Sequence, residues 1–397
     1  MDIQTVEKWD VSGKTILLRV DLNVPRHNNI VTDTTRIDRL KPTIDLLRSK
    51  GAKILIISHF GRPAGEHTPD MSMAFLAPVL ERSWNTPVKF SHTSIGENAE
   101  LIAKSAKDGE VILMENLRFH KGEKANDKEF CKQLARLGDL YVNDAFSVSH
   151  RAHSSLSGIS ELLPSAAGLL LEEEINALSS ALNTPEQPVL AVTGGSKIST
   201  KLEVLENLIE KVNYLVLGGG MANTFLYAKG YSMGRSLCEK DMKDIAVDIM
   251  NKADKIGCEI ILPQDVVVVS ELDQNVEYKS VSINNIPDDQ MAIDVGEQTI
   301  VYVSQKIKQS RTIVWNGPLG VFEIKPFDIG TNSIARCVAE HTLNTNAVSI
   351  AGGGDTVAAL ENAGCIDDFS YISTAGGAFL EWLEGKELPG VKAVMKR

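Results

Sequence analysis

Cysteine is scarce. The 397 residues hold five, Cys131, Cys238, Cys258, Cys337 and Cys365, with no C-x-x-C pair among them. An odd, scattered set argues against a disulfide framework or a zinc site and suits a reducing compartment. No apolar stretch approaches the ~20 residues of a membrane span. The opening Met1-Asp2-Ile3-Gln4-Thr5 lacks the basic-then-apolar pattern of a secretory leader, so a cytoplasmic location is expected. Positive charge is in deficit, with 41 Lys and Arg against 52 Asp and Glu, a net charge of −11. That balance argues against a nucleic-acid partner but not against a small anion, because a local arginine cluster still focuses a cleft's field. Two glycine fingerprints are also missing, the G-x-x-x-x-G-K-[ST] of a P-loop and a Rossmann G-x-G-x-x-G.

What is present is a globular composition, 43% hydrophobic and 23% charged, on a chain long enough for two domains. Short, nearly unbroken Ile/Val/Leu runs recur: Ile16–Val20, Ile54–Ser58, Val111–Met114, Leu140–Val142, Val189–Val192, Tyr214–Leu217, Ile260–Leu262, Thr312–Trp315, Ala347–Ala351 and Phe369–Ser373. Such runs suit strands buried on both faces of a parallel sheet, and helical spacings lie between most of them. The pattern predicts an α/β protein with two Rossmann-like, doubly wound parallel-sheet domains. Leu171, Ile175, Leu178 and Leu182 mark one face of a connecting helix, opened by Glu172-Glu173-Glu174 and stopped by Pro185 and Pro188. The expected division is 1–170, a connector at 171–187, and 188–382. Residues 265–294 contain a strand-like Val266–Val269 and a hairpin near Asp273-Gln274-Asn275, without a chemical reading.

The two halves end their strand-like runs differently. In the first half the ends are cationic and polar: Asp21, Leu22 and Asn23; His59, Phe60, Gly61 and Arg62; Arg118. With Arg36 and Arg151 these suit a clamp for carboxylate and phosphate, although a lone arginine is most often a surface residue. In the second half the ends are glycine turns. Gly194-Gly195-Ser196-Lys197 leads to Lys201, and helical spacing would aim Lys197 and Lys201 at one place. Gly352-Gly353-Gly354-Asp355-Thr356 suits a phosphate loop, with Asp355 a Mg²⁺ ligand, a helix N-cap or both, the glycines favouring a ligand. Asn316-Gly317-Pro318 makes a rigid turn before Glu323, placed to accept from ribose hydroxyls. Ligands bind at the carboxyl ends of strands in open α/β sheets, so the layout is that of a phosphoryl-transfer enzyme.

These residues carry a resemblance over essentially the whole chain to the phosphoglycerate kinase family. The matching strings are RVDLNVP (19–25), TDTTRI (32–37), HFGRP (59–63), ENLRF (115–119), NDAFSVSHRAHSS (143–155), GGSKISTK (194–201), VLGGGMANTF (216–225), WNGPLGVFE (315–323), GGGDT (352–356) and STAGGAFLEWLEGK (373–386). The resemblance implies a cytosolic monomer of two lobes closing on a hinge. One lobe binds 3-phosphoglycerate or 1,3-bisphosphoglycerate, the other Mg-ADP or Mg-ATP, and the tail from about 383 to 397 returns to the first lobe. It implies that Asp21, Leu22, Asn23, Arg36, His59, Phe60, Gly61, Arg62, Arg118 and Arg151 hold the glycerate. Gly195, Lys197, Lys201, Gly219, Asn316, Pro318, Glu323, Gly353, Gly354, Asp355 and Thr356 would serve the nucleotide. Arg36, Lys197, Lys201 and the N–H groups of Gly376 and Gly377 would serve the transferring phosphoryl group. Where many members read STGGGA, this chain has Ala375, whose Cβ narrows the φ range of that loop. Two alternatives stand beside this reading, a two-domain nucleotide-dependent oxidoreductase and an inactive nucleotide-binding protein of the same fold.

Overall fold

The computed structural model describes residues 2–28 and 30–396. The chain forms two compact units, Met1–Asn176 with Glu387–Arg397, and Ala177–Lys386. In the first, β1 (Thr15–Val20), β2 (Lys53–Ile57), β3 (Val88–Ser91), β4 (Val111–Met114), β5 (Leu140–Asp144) and β6 (Ser165–Ala167) form one sheet. Its order is β3-β4-β2-β1-β5-β6, and every pairing is parallel. The unbroken apolar runs are explained by the two cores they feed. Ile16, Leu18, Val20, Ile54 and Ile56 enter one, and Leu17, Leu55 and Ile57 enter the other. The C-terminal segment packs in this unit, where Gln4 N donates to Val394 O (2.8 Å) and Gly390 N to Ser149 O (2.8 Å). The strands β3 and β6 were not anticipated from sequence. Both lie at sheet edges, where four and three residues suffice and a continuous apolar run is not required.

In the second unit β7 (Val189–Thr193), β8 (Tyr214–Leu217) and β9 (Glu259–Ile261) precede an inserted three-stranded antiparallel sheet. That sheet is β10 (Asp265–Val269), β11 (Tyr278–Ser282) and β12 (Met291–Val295), with β10 in the middle. The parallel sheet resumes with β13 (Thr312–Asn316), β14 (Val348–Gly352) and β15 (Tyr371–Ser373), giving the order β9-β8-β7-β13-β14-β15. The two sheets are therefore doubly wound, as expected. A helix over Leu169–Leu182 runs across the point at which the chain passes from one unit to the other.

Strand order reverses between β7 and β13, and a crevice opens at such a switch point. There the loops after β7, β8 and β13 mesh backbone to backbone. Gly194 N donates to Asn316 O (3.1 Å), Gly219 N to Leu319 O (2.8 Å), and Met221 N to Gly195 O (3.0 Å). A Cβ on Gly194 would lie 1.7 Å from the Pro318 carbonyl oxygen, and Gly317 turns at φ +103 with its own Cβ position 2.3 Å from Gly194 O. The clash at Gly194 involves main chain that cannot rotate away. Gly194→Ala should therefore lower stability by about 3 kcal/mol, read as a shift in the urea midpoint. Gly354→Ala, where nothing lies within 4 Å, is the matched control and should stay within about 0.5 kcal/mol.

Candidate functional site

At the carboxyl ends of β1, β2, β4 and β5, side chains of the first unit converge. Asp21 pairs with Arg36 at 2.7 Å and also accepts from Ser147 Oγ at 2.5 Å. Asn23 Oδ1 receives the N–H of Gly61 (2.9 Å), and Gly61 O receives Arg118 Nη1 (2.8 Å). Leu22 and Phe60 are core residues, so only their backbone belongs to this edge. Arg62 and Arg151 are exposed. Asn116, absent from the sequence-derived set, crosslinks the loops: its Oδ1 caps Arg118 N (3.0 Å) and its Nδ2 donates to Phe60 O (2.7 Å).

Charge here is unbalanced. Arg118 is 7% exposed and its buried Nε has no hydrogen-bond partner. Burial, then Arg19 and Arg151, push its guanidinium down to about 10. Burial first, then Arg19, Arg118, His153 and Arg151, hold His59 well below its ordinary value. Burial and the same arginines bring His153 to about 4. Both rings are thus neutral near pH 7. A buried guanidinium lowered by its cationic neighbours, with a donor left unpaired, fits an anionic ligand.

The second unit has a cleft of about 490 Å³ at its switch point. Gly195, Lys201, Gly219, Pro318, Glu323 and Asp355 all line it. Lys201 Nζ donates to Gly194 O (2.8 Å), Asn316 O (3.2 Å) and Asn316 Oδ1 (2.6 Å). Burial brings its ammonium down to about 8, against the pull of Asp355. Asn316 Nδ2 reaches Gly352 O (2.8 Å), and Thr356 Oγ1 accepts from Gly317 N (2.7 Å). Asn316 and Thr356 therefore brace the strand ends behind the cleft.

Two expectations about the local backbone are corrected. Residues 197–201 form no helical turn, since the helix there starts at Leu202; Lys201 turns into the cleft while Lys197 is exposed outside its lining. Asp355 is not an N-cap: Gly353, at φ +99, holds that position and Asp355 sits exposed in the first turn. Gly353, Gly354, Gly376 and Gly377 also lie outside the cleft lining, the last two exposed at the start of the helix Gly377–Leu383. Ala375 is absent from the residues with positive φ, so its Cβ introduces no strain, and its methyl is buried. The segment 265–294 gains a role, because Leu272, Met291, Ala292 and Ile293 form cleft wall together with Asn223 and Leu237. Nothing in the local sequence marks Leu272, Met291, Ala292 and Ile293; their placement depends on the inserted sheet. Among the described residues no three His, Cys, Asp or Glu side chains are grouped to hold a metal, and no helix is long and apolar enough to cross a membrane.

Comparison with known proteins gives a consistent result. The family model described as phosphoglycerate kinase matches residues 6–386. The chain is 54% identical over 394 residues to a phosphoglycerate kinase of Rhodospirillum centenum, covering 99% of this chain and 100% of that one. It is 50% identical over 396 residues to one from Ruegeria pomeroyi, covering 100% of each. The solved phosphoglycerate kinase of Coxiella burnetii superposes with a TM-score of 0.92 at 42% identity, covering 99% of this chain and 98% of that chain.

The Lys201 environment generates a pH prediction. An ammonium binds an anion only while protonated, so affinity for a polyphosphate should be full below the value of about 8 and fall as pH rises through it. Calorimetric titration with inorganic pyrophosphate across that range measures this. An affinity that stays level to about pH 10, close to the ordinary lysine value, would show that Lys201 is not depressed.

Proposed function

The chain belongs to the phosphoglycerate kinase family, and we propose here which of its residues perform that family's reaction. The activity is reversible phosphoryl transfer from 1,3-bisphosphoglycerate to ADP, giving 3-phosphoglycerate and ATP, a step of glycolysis. The oxidoreductase and the inactive-protein alternatives find no support. In the present reading the glycerate occupies the arginine-rich edge of the first unit. Asp21, Asn23, Arg36, His59, Arg62, Arg118 and Arg151 contribute side chains, and Leu22, Phe60 and Gly61 contribute backbone. The observation that carries this is the buried, unpartnered Nε of Arg118, whose guanidinium is lowered by burial and by the neighbouring Arg19 and Arg151. The nucleotide takes the cleft of the second unit, its base against Gly219, Pro318, Leu237 and Met291 and its ribose at Glu323. Its phosphates lie towards Gly195, Lys201 and the loop Gly353–Thr356. Lys197 is retained as an exposed cation that can approach the phosphates from outside the cleft.

A carboxylate is already ionised near pH 7, so its attack on phosphorus needs no general base, consistent with histidines held neutral. What the residues must supply is alignment and neutralisation of the equatorial oxygens. Arg36, Lys201 and the N–H groups of Gly376 and Gly377 are assigned to that task. Asp355 is the residue that would hold Mg²⁺. A single carboxylate beside a phosphate site suits an ion that takes one or two carboxylates and completes its shell with phosphate and water. When bound, Mg²⁺ neutralises nucleotide phosphate charge. Ligands carried by different units react only once brought into line, which is the reason for placing hinge closure in the cycle. A cytoplasmic monomer with small-molecule partners and no nucleic acid completes the reading.

ATP formation from 1,3-bisphosphoglycerate and ADP in a coupled assay tests the activity directly. Lys201→Ala should reduce kcat about a hundredfold, on the order of 3 kcal/mol, with folding retained. A rate within about threefold of the parent would remove Lys201 from the chemistry. Arg118→Ala should instead raise KM for the glycerate substrate, because it removes binding made equally in ground and transition states. ADP affinity by calorimetry should stay unchanged; an equal loss of both affinities would overturn the assignment of ligands to units.

A further inference from the structure

Behind the glycerate edge lies a buried chain of polar groups that the reaction itself does not use. His59 follows β2 and is 3% exposed. Its Nδ1 lies 3.0 Å from Nη2 of Arg19, which is 1% exposed at the end of β1. A guanidinium carries donors only, so Nδ1 accepts and the ring's single proton resides on Nε2. Protonating Nδ1 would set two donors against each other. Arg19 is itself fixed at every nitrogen. Nη1 donates to Val20 O and faces Ser58 Oγ at 3.4 Å, while Nε donates to Ser155 Oγ at 3.0 Å. Ser155 Oγ in turn donates to Glu123 Oε1 (2.6 Å), and Ser155 N donates to Oε2 (3.1 Å). Glu123 is completely buried. Arg19, unlike Arg118, thus has its nitrogens engaged by the protein and is not a substrate contact.

Resting on the reading that this edge binds the glycerate, we propose that Arg19, anchored through Ser155 to Glu123, is a positioning residue that locks His59 in its neutral Nε2–H tautomer. His59 then presents a fixed hydrogen-bond donor to the anionic substrate and does not become a cation whose charge varies with pH. The groups facing the ring act in the same sense. Arg19 comes from β1, Arg118 from the loop after β4, and Arg151 and His153 from the loop after β5; each disfavours an imidazolium, and burial adds to them. Glu123, a fully buried carboxylate, contacts Ser155 and lies 3.9 Å from His153 Nδ1. Its charge acts on Arg19. The site keeps its binding geometry through the pH range in which an ordinary histidine, near about 6.5, would titrate.

The test begins with the unsubstituted protein, using ¹⁵N-histidine NMR from about pH 5.5 to 8. His59 should show the Nε2–H pattern throughout, with no titration; an Nδ1–H pattern, or a midpoint inside that range, would overturn the inference. Arg19→Leu should raise KM for 3-phosphoglycerate about tenfold with a smaller change in kcat. It should also introduce a new titration of His59, seen both in the NMR signal and in the KM–pH profile. Arg19→Lys, which keeps a donor near Nδ1, should restore most of the affinity and the flat profile. Should Arg19→Leu not fold, Ser155→Ala loosens the same arginine and should move the same readouts in the same direction. A raised KM with the tautomer and the pH profile unchanged in these variants would make Arg19 merely structural. Absence of 3-phosphoglycerate binding to the unsubstituted protein would overturn the underlying site assignment. Binding accompanied by a titrating His59 would overturn this inference alone.

Discussion

Parallel hydrogen bonding is the constraint from which the rest follows. When all six strands of a sheet run the same way, their carboxyl ends share one edge, and each must be continued by a loop over that edge. In the first unit that geometry delivers Asp21, His59, Arg118 and the segment Ser147–Ser155 to one place from distant stretches of chain. In the second it brings the turns after β7, β8 and β13 so close that only glycine fits at Gly194 and Gly317. The glycines there serve loop-on-loop packing first. Gly195 and Gly219 line the cleft only because that mesh holds them at its mouth.

The same edge explains the electrostatics. Residues after a buried strand are drawn partly out of water, so their charges lose solvation without gaining a protein counter-ion. Arg118 at about 10 and Lys201 at about 8 are both lowered chiefly by burial. The two sites resolve the strain differently. Lys201 leans on three neutral oxygens of Gly194 and Asn316, whereas Arg118 keeps one donor with no partner at all. Carboxylates are used sparingly nearby. Asp21 pairs with Arg36, and Glu123 is set back behind Ser155; both act on Arg118 only through space, and neither is hydrogen-bonded to it.

Much of this was legible in the sequence, because strand ends carry their chemistry in contiguous strings. HFGRP and ENLRF announce the cationic edge, and GGSKISTK and WNGPLGVFE announce the cleft. What escaped notice depends on distance along the chain or on local backbone form. The strands Val88–Ser91 and Ser165–Ala167 end the sheet order, each paired with a single strand, and need no apolar run. Arg19 meets Ser155 across 136 residues, and no spacing rule links them. The expectation that Lys197 and Lys201 act together assumed a helix through both, whereas the helix begins at Leu202, after the two lysines. Met291 and Ile293 reach the cleft only because the inserted sheet places β12 beside it. Ala375 was a question about φ, and sequence alone does not determine φ.

Cations held in this way have a consequence for catalysis. A phosphoryl group in transit carries charge on its equatorial oxygens, and water would stabilise that charge by reorienting. Here the orientation is complete before substrate arrives. Asn316 is tied to Gly352 and to Lys201, Thr356 is tied to Gly317, and Arg118 is held by Gly61. On the proposed assignment, an anion at each site would return charge balance to Arg118 and Lys201, so binding would relieve a cost already present in the free protein. The gain grows with negative charge on the ligand, which favours multiply charged phosphates over neutral analogues of the same shape. A rigid, cation-rich edge with neutral histidines thus supports transfer between two anions without a proton acceptor, leaving alignment as the remaining requirement.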